Sequence, residues 1–130
     1  MAKTRDLIGP DADLKLDCWM AFDVDFAVRL CEALRPYRMR WMEEMLPPQD
    51  WSGHRQLRQR LPWQSLATGE HWSTRHPGMR AIEERLVDLI QADIMWIGGF
   101  TEAMKLAHFA DAAGIQMCLH VGANDNFGQH

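Results

Sequence analysis

Short apolar runs and longer apolar stripes take turns along this chain. Residues 13–18 (DLKLDC), 39–43 (MRWME), 64–68 (QSLAT), 87–92 (VDLIQA) and 115–120 (IQMCLH) are brief runs of strand length. Between them apolar residues recur three and four apart, the mark of a helix with one buried face. Phe26, Ala27, Leu30, Cys31 and Leu34 form the first such stripe, after Asp23 and Asp25 and ahead of Pro36. A short helix over 55–60 follows, led by Ser52-Gly53, and a third covers 77–86 with Pro77 near its first turn, where proline is tolerated. Thr101 is placed to cap a fourth, running to Ala113 and stopped by Gly114. Strands alternating with single helices predict a parallel sheet and an α/β fold.

The unit recurs every ~25 residues, the spacing of a (β/α) barrel rather than of a short solenoid repeat. A complete barrel takes about 250 residues. At 130 residues the five units read as the middle of one, a partial (β/α)8 TIM-type barrel forming a single domain over residues 1–130. Strands so cut leave two parallel edges, which are pairing hazards unless covered.

The register of the polar residues changes the picture from fold to chemistry. Asp17, Glu43 and Glu70 each stand where an apolar run opens into a loop, one unit apart. In a parallel sheet with helical crossovers, neighbouring strand ends converge on one face. Three carboxylates delivered there can hold one hard, oxygen-preferring cation such as Mg²⁺. The same register later supplies Asp93 and then His120, which can form a pair in which the carboxylate orients the imidazole for proton transfer. Each residue alone has a plainer role. Asp17 and Asp93 are ordinary caps, Glu70 an ordinary loop charge, and His120 an ordinary structural histidine. Their recurrence at one register is what favours a site. Glu43 and Glu44 are adjacent, so along a strand they face opposite ways and one of them is a solvated or salt-bridged side chain. Alternation does not say which.

Composition removes other classes. A net charge of −4 gives no sign of nucleic acid or of a membrane surface. The opening MAKTRDLIGP lacks the apolar stretch of a signal peptide, and no apolar run nears spanning length. Cys18, Cys31 and Cys118 are odd in number and lack CxxC spacing, so a reducing cytoplasm is expected. Asp11, Asp13 and Asp17 begin like an EF-hand loop, but Lys15 and Leu16 spoil it. Gly98-Gly99 has no following Lys-Ser/Thr and is no phosphate loop. His71 and His76 have no second pair at zinc spacing.

Taken in order, LDCW (16–19), WMEE (41–44), TGEHWST (68–74), DLIQADIMWIGGFTEA (88–103) and Leu119-His120 resemble the enolase superfamily. Within it they are similar to the mandelate racemase branch, and most of all to acid-sugar dehydratases of the L-rhamnonate type. The resemblance runs from about Gly9 to His120. It implies Mg²⁺ held by Asp17, Glu43 and Glu70, and so selects Glu43 over Glu44. It further implies His120 as general acid/base, Asp93 as its orienting carboxylate and His71 as a substrate-binding residue. Ala92 and Leu119 stand where relatives carry proline, and 121–130 (VGANDNFGQH) departs from the family's loop.

The implied reaction removes the proton α to a carboxylate of an acid sugar and expels the β-hydroxyl as water. The implied partner is thus a small-molecule acid sugar, with a homo-oligomer expected of the full-length family. Family members also carry a capping domain and barrel strands outside the third to seventh. Those are absent here, so the chain alone is expected to have little activity. Two alternatives stand beside this reading: a truncated, non-catalytic barrel remnant, and a racemase or epimerase of the same superfamily.

Overall fold

Strands form where the apolar runs are, but shorter than the runs themselves. In the computed structural model, which describes residues 1–122, they are Leu14–Asp17 (β1), Met39–Glu43 (β2), Leu66–Thr68 (β3), Leu89–Ile90 (β4) and Gln116–Met117 (β5). The remainder of the atypical 121–130 stretch lies outside the described residues. The helices are Ala2–Ile8 (α1), Val24–Leu34 (α2), Trp51–Arg60 (α3), His76–Glu83 (α4), Ile94–Ile97 (α5) and Phe100–Ala112 (α6). Strand order in the sheet follows the sequence, β1-β2-β3-β4-β5, so the α/β, parallel-strand expectation holds. The backbone divides into two units, Met1–Leu66 and Ala67–His130, with the boundary inside β3.

In the first unit β1 and β2 pair in parallel, with a register shift between Leu14 and Lys15 that leaves Asp17 opposite Glu43. The Asp23 side chain caps α2 by accepting from the Phe26 N–H, and the helix buries Ala27, Cys31 and Leu34. Helix α3 starts a turn before the sequence predicts. Asp50, rather than Ser52-Gly53, caps it by accepting from the Gly53 N–H. Gly53 is required there, because a Cβ would fall 2.2 Å from the Asp50 carboxylate and 2.7 Å from Leu46. Met42, Leu46, Leu57 and Leu61 fill the core with the inner face of α2. Beyond β2, the Met42 N–H donates to the Ser65 carbonyl just ahead of β3. Helix α1 was not foreseen in the charged opening segment and buries none of its residues. Arg5 ties it down by donating to the carbonyls of Tyr37, Gly9, Ala12 and Arg38.

In the second unit β3, β4 and β5 pair in parallel, with Thr68 opposite Ile90 and Ile90 opposite Met117. Pro77 sits in the first turn of α4, as expected. One expectation, the Thr101 cap, needs correction at the next helix. The stretch after Asp93 forms a four-residue helix, α5, and Thr101 caps nothing. Gly98 and Gly99 both take positive φ (102° and 101°), which ends α5 and lets α6 begin at Phe100, leaving Thr101 inside the helix. Ala103, Leu106 and Ala110 are the buried residues of α6.

Candidate active site

Asp17 and Glu43 end adjacent parallel strands and are register partners, so their side chains leave the sheet in the same direction. Asp17 accepts from the Trp19 N–H at 2.9 Å, and Glu43 accepts from the Trp41 indole N–H at 2.8 Å. Each bond occupies one oxygen, and among the described residues no bond is seen to Asp17 Oδ2 or Glu43 Oε1. Two carboxylates so held suit a hard cation, which prefers several charged oxygens. Glu44 is buried rather than solvated. The strand has already ended, Glu44 turns with φ 47°, and it is only 1 % exposed.

The other four sequence candidates lie in the second unit. Glu70 follows β3 through a turn in which the Trp72 N–H donates to the Gly69 carbonyl. Gly69 has φ 129°, and a Cβ there would press on Trp72 at 3.1 Å and on the Gln91 nitrogen at 3.3 Å. Asp93, 4 % exposed, lies beyond β4, and a lone parallel bridge links it to His120 beyond β5. His120 therefore reaches this end of the sheet by a single bridge rather than by a full-length strand.

Asp93 uses both oxygens. Oδ1 accepts from the Met95 and Trp96 N–H groups at the start of α5, at 2.8 and 3.1 Å. Oδ2 meets His120 Nδ1 at 3.1 Å and the Gly122 N–H at 3.0 Å. Burial pushes the Asp93 carboxyl upward, but the Gly122, Trp96, His120 and Met95 donors outweigh it and hold the group below its ordinary value. An ionised carboxylate only accepts, so Nδ1 of His120 carries the proton in this pair. Nε2 then points the other way, 3.2 Å from Glu70 Oε2. His71 Nδ1 lies 3.4 Å from Glu70 Oε1, and the His71 ring stands edge-on to Trp96 with centroids 5.1 Å apart. Glu70, His71, Asp93 and His120 thus form one connected polar cluster.

Trp96, Trp41 and Gly122 contact the candidate residues and were not picked out from the sequence. Trp96 is three residues after Asp93 on a helical turn, which is a legible signal. Trp41 lies two before Glu43 on one strand face, which is another. Gly122 leaves no pattern.

Parallel βα units with carboxylates and a histidine–aspartate pair beyond the strand ends define an enzyme class of barrel type. The chain belongs to the enolase C-terminal domain-like family, whose model matches residues 1–128. It is 43 % identical over 121 residues to L-rhamnonate dehydratase of Saccharopolyspora erythraea, covering 92 % of this chain and 31 % of that enzyme. The crystal structure of rhamnonate dehydratase from Gibberella zeae complexed with Mg matches with a TM-score of 0.88 and 34 % identity, over 93 % of this chain and 30 % of that one. L-Talarate dehydratase from Polaromonas sp. JS666, complexed with Mg and L-glucarate, gives 0.86 and 27 % over 98 % of this chain and 35 % of that one. The chain spans about a third of the length of these relatives. Among the described residues no helix is long and apolar enough to cross a membrane.

Proposed function

We propose that this chain is the barrel portion of a Mg²⁺-dependent acid-sugar dehydratase of the rhamnonate type. The observation that carries the reading is the His120 imidazole between Asp93 at 3.1 Å and Glu70 at 3.2 Å. Asp93 holds Nδ1 and fixes the tautomer, which leaves Nε2 as the proton-transferring atom. Nε2 takes the proton α to the substrate carboxylate, and the protonated ring then assists loss of the β-hydroxyl as water. The product is a 2-keto-3-deoxy sugar acid. His71 contributes to holding the substrate beside Glu70.

Asp17 and Glu43, the last residues of β1 and β2, and Glu70, beyond β3, are the proposed Mg²⁺ ligands, and an all-carboxylate oxygen set fits that ion. When bound, Mg²⁺ supplies positive charge opposite the substrate carboxylate, where negative charge grows as the α-proton leaves. The Mg complexes of two similar dehydratases support this choice of metal.

The test is a panel of acid sugars incubated with purified protein and Mg²⁺, following 2-keto-3-deoxy product. In a protein of the relatives' length, turnover should be lost in His120→Asn. The 130-residue chain by itself should turn over slowly, because positioning and exclusion of water supply much of an enzyme's acceleration. Turnover that survives His120→Asn would contradict the base assignment. Exchange of the α-proton with inverted configuration and no dehydration would favour a racemase.

A further inference from the structure

We infer that Gly122 is a positioning residue for the His120–Asp93 pair, acting through its backbone N–H and its missing side chain. The inference rests on the acid/base reading of His120. The Gly122 N–H donates to Asp93 Oδ2 at 3.0 Å, the same oxygen that faces His120 Nδ1 at 3.1 Å. The chain thus doubles back after His120 and grips the carboxylate that orients the ring. A carboxylate oxygen with two donors is fixed in direction, and the imidazole bonded to it is fixed with it.

The return is possible only at close range. A Cβ on Gly122 would lie 3.0 Å from His120 Cε1 and 3.5 Å from Asp93 Oδ2. Cε1 is the ring carbon between the two nitrogens, so any displacement there swings Nε2 directly. The backbone at Gly122 has no positive φ, so alanine fits its conformation and the pressure falls on the ring alone. Neighbouring Val121 is half-exposed and offers a control in the same segment.

The test combines NMR on ¹⁵N-labelled protein with kinetics. The Gly122 amide should exchange with solvent roughly tenfold or more slowly than an open segment would, because its donor is engaged. Gly122→Ala should shift the His120 ring resonances, whereas Val121→Ala should leave them in place. In the active protein, Gly122→Ala should lower kcat by about tenfold or more with KM nearly unchanged, since sub-ångström misplacement of a reacting group slows chemistry before it weakens binding. A rapidly exchanging Gly122 amide, or ring resonances indifferent to Gly122→Ala, would overturn the inference. So would a loss confined to KM. If the wild-type protein dehydrates no acid sugar, the functional reading fails, and the amide and ring signals still decide the role of Gly122.

Discussion

His54 shows how one buried side chain can make stability depend on pH. Its ring hydrogen-bonds to the Pro47 carbonyl, while Nε2 is buried without a partner among the described residues. Burial lowers its pKa, opposed by that bond and by the charges of Asp50 and Glu44. The folded state therefore holds the neutral ring. Its contribution is complete above the unfolded value of about 6.5 and is lost as pH falls through the folded one. Between about pH 7.5 and pH 5.5, wild-type unfolding free energy should fall more than that of His54→Gln, as denaturant titrations at each pH would read. Parallel curves would mean that His54 takes up its proton alike in the folded and unfolded chain.

At the scale of elements, α4 and α6 meet in close contact through Gly78 and Leu106. A Cβ on Gly78 would meet the Leu106 methyls at 2.7 and 2.8 Å, and Leu106 is buried. Gly78→Ala should therefore destabilise by about 1–3 kcal/mol through overpacking, despite alanine's better helix propensity. In a Leu106→Val background the penalty should shrink, because the methyls in conflict are moved or removed. Equal penalties in both backgrounds would place the cause elsewhere. For α3, loss of the Asp50 cap in Asp50→Ala should cost about 1 kcal/mol, measured as a lower denaturation midpoint with an unchanged slope.

The metal proposal is tested on the whole molecule, since Asp17, Glu43 and Glu70 are only its proposed ligands. A ligand that binds only the folded state stabilises it, by about 2.7 kcal/mol at a hundred times its Kd. Mg²⁺ should therefore raise the melting temperature of the wild type, and should fail to do so in Asp17→Asn, Glu43→Gln or Glu70→Gln. Glu44→Gln should keep the shift even if its starting temperature changes, because Glu44 is buried. A shift lost in Glu44→Gln and kept in Glu43→Gln would reverse their assignment.

The sequence by itself determined the α/β alternation, the strand order and the family, because apolar periodicity and an ordered series of motifs are properties of the chain. It also placed Asp93 and His120 at corresponding positions, which the structure joins by a hydrogen bond. Only tertiary structure decided the surroundings of those residues. The burial of Glu44 was not legible, because the strand stops at Glu43 and a left-handed turn cancels the two-residue alternation. Thr101 was misread because two positive-φ glycines set the helix start with no side-chain cap. The contacts of His120 with Glu70 and of Gly122 with Asp93 join residues 50 and 29 positions apart in the chain. Local spacing carries no record of such approaches, because folding creates them when separate strands are laid side by side.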